Sequence, residues 1–493
     1  MFEVKLNVLG IIFFVVFCLN ILCVLAMIFV ERKKPQIIVS WLIVLTFFPI
    51  LGFLLYILIG SGLSYKTKRM LKKKRLYQKE YDEFITKQKE TLQERKYKSR
   101  EEKNYSDLLM FNLNNSKSAY YEHNNIRIFT NGKDKINALK KDLKNAKHSI
   151  NLLYYIFAND EVGNEIMDIL IQKAQQGVKV KLLYDSVGCL KTKRSFYKKL
   201  VKAGGEVAEF FPPLFGIRLF NLKMNYRNHR KIAIIDGKIA YTGGINIRDD
   251  HMGKNKKLSP WRDTHIRITG DAVYGFQSAF FNDWRYCKKY GSNFQKLLEE
   301  GYFTSTRNTG KTGVQVITSG PESDEQSIKA SLLKMILSAK ENIYIQTPYF
   351  IPDEVMLSAL NVASMSGVKI NLMIPAIPDK KFVYMATLSY VKELLNYGPN
   401  VNIYLYNGFI HSKVVIIDDK VASIGTCNFD NRSFALNFEI NAFLYGEEIA
   451  NQNVTIFEND IKNCKKIDKL YFKRKPWYSK MAQAFFRLFS PLL

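Results

Sequence analysis

The sequence predicts an α/β protein of two related halves behind an N-terminal pair of transmembrane helices. Three observations carry that reading. Two long uncharged apolar runs open the chain, helical and strand-like stretches alternate from about Asn104 onward, and a pattern His-x-Lys-x4-Asp occurs twice, 182 residues apart. At 493 residues there is material for two or three domains with sizeable cores.

The apolar runs come first. Leu6 to Val30 is 25 residues without a charge, and Ile37 to Ile59 is another 23. Each exceeds the roughly 20 residues a helix needs to cross the hydrocarbon core. A cleaved signal peptide fits poorly, because the first run is too long and no small-residue cleavage site follows it. Two buried core helices would need a large protein shell around them. The connector Glu31-Arg-Lys-Lys-Pro35 is short enough to make the runs a hairpin within residues 1–62, with helices over about 6–30 and 37–59.

Lys66-Thr-Lys-Arg-Met-Leu-Lys-Lys-Lys-Arg75 carries seven basic residues in ten, which by the positive-inside bias puts the large C-terminal part in the cytoplasm. Arg32, Lys33 and Lys34 argue the other way but are outnumbered. Residues 63–105 form a basic linker or helix, read as a solvated Lys/Glu spacer or as an element with a binding role of its own. The whole chain has 73 lysines and arginines against 45 acidic residues, a net charge of +28. That excess calls for an anionic partner, either nucleic acid or an anionic membrane surface. The six cysteines form no C-x-x-C pair and read as free thiols in a reducing compartment, with no structural zinc.

The α/β part repeats itself. Lys140 to Ser149 suggests a helix, Ile150 to Phe157 a buried strand, Gly163 to Gln176 an amphipathic helix closed by Gly177, and Val178 to Tyr184 a second strand. Ala339 to Asp353 parallels Ala146 to Asp160, and Gly367-Val-Lys-Ile-Asn-Leu parallels Gly177-Val-Lys-Val-Lys-Leu. Their offsets of 193 and 190 residues, beside 182 for the motif histidines, indicate an internal duplication. The halves are placed at 106–303 and 304–470, with the boundary in the polar stretch Thr304 to Thr312. Residues 471–493 mix basic and aromatic side chains. From about Trp477 they read as a helix resting on the membrane, or as one packed on the core of its own domain.

Each motif copy has a longer form. Asn228-His229-Arg-Lys231-Ile-Ala-Ile-Ile-Asp236 leads to Gly243-Gly-Ile-Asn246, and His411-Ser-Lys413-Val-Val-Ile-Ile-Asp418 leads to Gly425-Thr-Cys-Asn428. A lone copy arises by chance about 0.03 times in such a chain, so two with the same Gly/Asn tail are not accidental. In a strand, residues two apart share a face, which projects His229 with Lys231 and His411 with Lys413. Packing of the halves about a pseudo-twofold axis brings both pairs to one cleft.

Two histidines and two lysines about one point suit a phosphodiester. Neutral imidazole attacks phosphorus, and protonated imidazole donates to the leaving alkoxide. Lysine ammonium groups and the amides of Asn246 and Asn428 hold the non-bridging oxygens. No acidic or Cys/His set with metal-ligand spacing accompanies the motifs, which implies a reaction without metal or other cofactor. Asp263, 34 residues after His229, and Glu439, 28 after His411, sit in strand-like runs where each can accept from an imidazole Nδ1 and fix its tautomer. Asp236 and Asp418 complete the catalytic motif, but their opposite strand parity makes them structural hydrogen-bonding groups at strand ends. His123, His148, His251 and His265 read as surface or structural residues.

With these residues the chain resembles the phospholipase D superfamily, whose signature is the duplicated motif, and more narrowly the bacterial cardiolipin synthases. The resemblance spans essentially the whole chain. It is carried also by Trp261-Arg-Asp-Thr-His265, Gln346-Thr-Pro-Tyr-Phe-Ile-Pro352, Gly425-Thr-Cys-Asn-Phe-Asp-Asn-Arg-Ser433 and Arg487 to Leu493. Cys427 stands where that family more often has alanine. The resemblance implies central mixed sheets flanked by helices in two phospholipase D domains. It also implies a bacterial plasma-membrane protein whose partners are phosphatidylglycerol and anionic lipids rather than nucleic acid, and it leaves a homo-oligomer open.

The implied reaction is a ping-pong transfer. One histidine takes a phosphatidyl group from phosphatidylglycerol and releases glycerol, and a second phosphatidylglycerol then takes up the group. By analogy with the superfamily His229 is the nucleophile and His411 the general acid and then base. Phe210 to Leu222, rich in Phe, Pro and Leu, either guides an acyl chain or is ordinary core. The competing readings are a nuclease of the same superfamily, a lipase that gives the intermediate to water, a transferase using another alcohol, and a non-catalytic scaffold.

Overall fold

The computed structural model describes residues 2–31, 33, 35–60, 62, 67–68, 78–94, 100–212, 225–288, 294–304, 310–323 and 325–493. Most of the basic run Lys66–Arg75, of Phe210–Leu222 and of the Thr304–Thr312 boundary lies outside these residues.

The first half contributes β1 (Tyr120–Phe129), β2 (Ser149–Tyr154), β3 (Lys179–Asp185), β4 (Glu206–Phe210), β5 (Lys231–Ile235), β6 (Ile239–Gly243), β7 (Trp261–Arg262) and β8 (His265–Gly270). The second contributes β9 (Thr312–Ser319), β10 (Asn342–Gln346), β11 (Phe350–Ile351), β12 (Lys369–Pro375), β13 (Val401–Tyr406), β14 (Phe409–Ile410), β15 (Val414–Ile417), β16 (Val421–Gly425), β17 (Phe429–Asp430), β18 (Glu439–Tyr445) and β19 (Cys464–Ile467). The helix expected at Gly163–Gln176 runs Glu161–Gln175, and its N-cap Asp160 accepts from Gly163 N at 3.0 Å. Its counterpart Glu354–Met365 is capped alike by Asp353, which accepts from Met356 N at 3.2 Å. The helix expected at Lys140–Ser149 begins earlier, at Gly132 behind the Asn131 cap, and ends at Asn145.

The sheets expected in two separate domains are one. The strand order is β19-β13-β12-β10-β15-β16-β18-β9-β1-β8-β6-β5-β2-β3-β4, joined at the antiparallel β1–β9 pair. From that pair outward, β1, β8, β6, β5, β2, β3, β4 match β9, β18, β16, β15, β10, β12, β13 in order. This is the pseudo-twofold relation that the duplication predicts. One apolar core mixes the halves: Ile232, Ile234 and Ile266 share it with Val414, Ile416 and Ile440, and with Phe276, Phe280 and Trp284 of the helix Val273–Cys287. Apolar side chains from both halves leave water together, so neither half keeps an intact core without the other.

The expected spacer is docked. In the helix Gln78–Glu94, Gln88 bonds Tyr120 in both directions, Nε2 donating to its carbonyl at 2.8 Å and Oε1 accepting its amide at 2.9 Å. Ile85 and Leu92 of the same helix are buried.

The N-terminal segment departs from the expected hairpin. Its first part is a continuous helix from Phe2, with a last π-helical turn at Ala26–Val30. Gly10–Val30 is long and apolar enough to cross a membrane. The second run, expected as one span over 37–59, breaks into Pro35–Phe47 and Pro49–Leu55 plus a π-helical turn Tyr56–Gly60. Pro49 cannot donate to the preceding turn, and Phe48 leaves helical geometry at φ −133°, ψ 66°. The chain turns back there. Lys33 Nζ bonds Gly60 O, and Gly62 N donates to Glu31 Oε1 at 3.2 Å, so the run ends where it began. Its bend lies against the first helix, where Asn20 Nδ2 donates to Pro49 O at 3.2 Å.

The C-terminal stretch forms a helix Trp477–Arg487. Phe486 packs toward the core of the second half and Arg487 pairs with Glu393. Trp477, Tyr478, Met481, Phe485 and Leu488 remain exposed. Beyond the helix, Ser40 Oγ donates to Leu488 O at 2.9 Å and Leu492 packs on the Met27, Trp41, Leu45 and Tyr56 cluster.

Candidate active site

Both motif histidines lie in extended lead-ins just before their strands, since β5 opens at Lys231 and β15 at Val414. Each lead-in is bonded to the other half of the molecule. His229 N donates to Phe438 O at 2.9 Å, and Phe438 N to Arg227 O at 2.8 Å. In the second copy His411 N donates to Arg262 O at 2.7 Å, while β14 pairs Ile410 with Arg262 of β7. Phe438 precedes Glu439, and Arg262 precedes Asp263.

These bridges set which carboxylate meets which imidazole. His229 Nδ1 lies 3.0 and 3.1 Å from the two oxygens of Glu439, and His411 Nδ1 lies 2.8 Å from Asp263 Oδ2. Each histidine is held by the carboxylate that follows the other motif. With Nδ1 so occupied, Nε2 is the nitrogen left for chemistry.

The two carboxylates differ electrostatically. Burial pushes Glu439 up to about 7, against Lys231 and the hydrogen bonds from Thr426 and Asn437. Thr426 Oγ1 donates at 2.5 Å and Asn437 Nδ2 at 3.1 Å. Asp263 is buried as deeply, yet His411, the hydrogen bonds from His251 and His411, and Lys413 overcome burial and hold it well below the usual carboxylate range. Burial, reinforced by the motif lysines, pulls both His229 and His411 below the ordinary histidine value, while Asp263 opposes this at His411 by favouring its protonated form.

Lys231 and Lys413 are buried beside them. Each ammonium donates to the carbonyl of its own motif histidine, Lys231 Nζ to His229 O at 2.7 Å and Lys413 Nζ to His411 O. Burial pulls Lys231 down to about 7 and Lys413 to about 8, although Glu439 and Asp263 favour their charged forms. Asn246 is buried, its Oδ1 accepting from Ile156 N at 3.1 Å and its Nδ2 lying 3.3 Å from His251 Nε2. Asn428 is buried with its Oδ1 unpartnered among the described residues.

Asp236 and Asp418 are not in the site. Each follows the far end of its strand at positive φ, 53° and 49°. Asp236 accepts from the amides of Lys147, His148 and Ser149, and Asp418 from those of Lys340, Glu341 and Asn342. Each carboxylate fastens the start of the neighbouring strand, β2 or β10.

Sequence reasoning missed four contacts of the histidines. His251, read as surface or structural, is buried with its ring 5.3 Å from that of His411 and its Nδ1 3.7 Å from Asp263 Oδ2. Its signal was position, five residues after Asn246 in the same return. Trp261 and Phe409 flank His411 at 5.5 and 5.8 Å, and Tyr155 stands edge-on to His229 at 4.9 Å. His265 is buried with Nδ1 accepting from Ile245 N at 3.3 Å, while His123 and His148 are outside the site. His251, Asp263 and His411 bring three potential donor atoms within 4.8 Å of one another. His411 Nδ1 and Asp263 are already bonded to each other there.

Comparison with known proteins returns the same pattern. Residues 139–269 and 332–461 match the family model described as "Cardiolipin synthase, PLD-like domain", and residues 18–61 match "Phospholipase_D-nuclease N-terminal". The major cardiolipin synthase ClsA of Bacillus subtilis (strain 168) is 41% identical over 483 residues, covering 97% of this chain and 98% of its own. The cardiolipin synthase of Oceanobacillus iheyensis is 42% identical over 480 residues, covering 97% and 98%. Among solved structures, the phosphatidylserine synthase of Haemophilus influenzae Rd KW20 superposes with a TM-score of 0.58 at 15% identity, over 80% of this chain and 100% of that one. That last likeness concerns the fold alone.

Proposed function

The chain belongs to the cardiolipin synthases with phospholipase D-like domains, and from that premise we propose that it joins two phosphatidylglycerols into cardiolipin and releases glycerol. The observation that supports the chemistry most directly is the crossed pairing of His229 with Glu439 and His411 with Asp263. It supplies two imidazoles, each oriented through Nδ1 so that Nε2 is the nitrogen for phosphorus.

In this reading His229 Nε2 attacks the phosphorus of the first lipid. His411, as an imidazolium, gives its proton to the departing glycerol oxygen. The P–O bond breaks as the P–N bond forms, leaving a phosphatidyl-histidine. Neutral His411 then takes the proton of the second lipid's hydroxyl, whose oxygen displaces His229 from phosphorus. Lys231, Lys413 and the Asn246 and Asn428 amides hold the non-bridging oxygens and their growing charge.

The unequal carboxylates favour these roles. Asp263, held ionised, stabilises an imidazolium on His411, as an acid–base group requires. Glu439, pushed toward neutrality, supports a proton on His229 less and leaves it a neutral nucleophile. The decisive experiment incubates the purified full-length protein with phosphatidylglycerol and EDTA. Free glycerol with a four-chain lipid is the expected outcome, and phosphatidic acid as sole product would make the protein a lipase.

For the membrane, the reading is that Phe2–Val30 crosses once and Pro35–Gly60 dips in and returns. The contact of Lys33 with Gly60 and of Glu31 with Gly62 supports this over two crossings. The basic residues at 32–34 and those at 66–75 then flank the membrane on one side, and the opposition between them in the positive-inside count disappears. That side is cytoplasmic and carries both halves of the catalytic body. The exposed aromatic face of Trp477–Arg487 rests on the same surface.

A further inference from the structure

A cavity of about 1090 Å³ lies apart from the reaction cleft. It lies between the returning membrane segment and the second half of the body. One wall is Pro35 to Ile43, and the others are the helices Lys381–Leu394, Asn431–Ala435 and Trp477–Arg487. Its volume exceeds the roughly 300–1,000 Å³ of pockets that take small organic ligands.

The lining is divided by chemistry. Ile37, Val39, Ile43, Leu357, Phe434 and Leu488 supply apolar surface. Val39 and Leu488 are more than half exposed, at 54% and 52%, although they carry nothing polar to offer water. Lys392 and Lys480 stand exposed on the lining and make no ion pair among the described residues, although Lys480 Nζ donates to the Lys473 carbonyl at 3.2 Å. Of the three acidic residues on the lining, Asp353 pairs with Lys329 and caps its helix and Glu393 pairs with Arg487, while Glu354 is exposed and makes no ion pair among the described residues. An occupant of this space needs apolar chains on one side and an anionic head on the other.

What lies beside it identifies the source. The wall Pro35 to Ile43 belongs to the segment read as membrane-embedded. Ser40 on that wall bonds Leu488 O, where the aromatic face of the C-terminal helix ends. The cavity therefore opens where the body meets the bilayer. Its floor helix Asn431–Ala435 is capped by Asp430, two residues after Asn428, and Phe434 packs on Phe429 at 5.6 Å. The floor helix is thus joined through Asp430 and Phe429 to the turn that carries Asn428.

We propose that this cavity holds one anionic phospholipid drawn from the bilayer, with its acyl chains along Pro35–Ile43 and its phosphate at Lys392 and Lys480, as a second lipid site beside the reaction cleft. The proposal rests on the membrane reading given above. It does not require that the product be cardiolipin.

The test is native mass spectrometry of the full-length protein extracted in mild detergent from vesicles of phosphatidylglycerol and phosphatidylethanolamine. The expected result is one retained phosphatidylglycerol per chain. Ala484→Trp, which puts an indole on the cavity wall, lowers retention. The exposed double change Lys392→Glu with Lys480→Glu leaves the melting temperature in place and cuts phosphatidylglycerol retention by about tenfold, the scale of one charge-assisted hydrogen bond. The same double change raises the KM for phosphatidylglycerol more than it lowers kcat. Overturning results are an otherwise wild-type protein that retains no lipid, or equal retention of phosphatidylglycerol in it and in both variants. Retention is read in a His229→Ala background, which cannot turn the lipid over, so a protein that makes only phosphatidic acid would sink the synthase reading and leave this site standing.

Discussion

His411 Nδ1 meets Asp263 Oδ2 at 2.8 Å although 148 residues separate them and each belongs to a different half of the duplication. The mirror contact, His229 with Glu439 at 3.0 Å, spans 210 residues. Each half thus carries the histidine of one pair and the carboxylate of the other. A single half holds no complete pair.

Asp263→Asn and Glu439→Gln are each expected to lower kcat, by up to about 10⁴-fold, the scale seen when an orienting carboxylate is lost from a hydrolase triad. Asp263→Asn is the more damaging, because Asp263 is the carboxylate held ionised. Steady-state kinetics on purified variants with matched melting temperatures reads this. Wild-type rates in Asp263→Asn would remove the carboxylate from the mechanism.

The two histidines separate with an activated leaving group. A phosphatidyl ester of p-nitrophenol needs no acid to expel its alcohol. His411→Ala should therefore still release a burst of nitrophenol and accumulate lipid on His229, while His229→Ala gives none. A burst in His229→Ala alone would reverse the roles.

Alkaline pH should weaken substrate binding before it harms chemistry. Lys231 and Lys413 sit at about 7 and about 8, below the ordinary lysine value, so each is charged below its own value and loses that charge as pH rises through it. The lipid phosphate stays anionic throughout. KM for phosphatidylglycerol is expected to rise from about pH 7 to 9, and a flat KM would mean that the lysines do not bind the phosphate.

Asp236 and Asp418 predict a stability effect rather than a chemical one. Replacing either with Ala strands three backbone amides and leaves a residue at positive φ, for about 2–4 kcal/mol. Asn, which tolerates that backbone and keeps one acceptor, recovers part of it. Thermal unfolding measures the loss. A fully folded Asp236→Ala with unchanged melting temperature but no turnover would return the residue to the chemistry.

The proposed return of Pro35–Gly60 to its starting side fixes where its ends should lie. A single cysteine at Lys33, in a chain stripped of its native cysteines, should be labelled by an impermeant maleimide only after vesicles holding the catalytic body inside are opened. One at Phe2 should be labelled without opening. Labelling of position 33 from outside would restore the two-crossing hairpin.

Much of this was legible in the sequence. The α/β alternation, the duplication, the His-x-Lys motifs and the first apolar helix follow from periodicity and repetition, which are local properties. Asp236 and Asp418 could be read as strand-end groups from parity alone. The break in the second apolar run was less visible, because charge counting does not weigh what Pro49 does to a helix. His251 was missed because nothing in its neighbours' chemistry sets it apart from a surface histidine, and only the 3₁₀ turn Asp249–Met252 brings it under His411.

By itself, then, the sequence singled out the His-x-Lys side chains and showed that they come as two copies, since residue type and spacing along a strand are written in the chain. Only the tertiary structure decided how the copies divide the work. Asp263 follows His229 and Glu439 follows His411, and chain proximity would have paired them so. The halves instead share one sheet through β1 and β9, and each histidine lead-in hydrogen-bonds the backbone of the opposite half. Those bridges carry each carboxylate across the pseudo-twofold axis to the other histidine, a relation between distant backbones that no local pattern encodes.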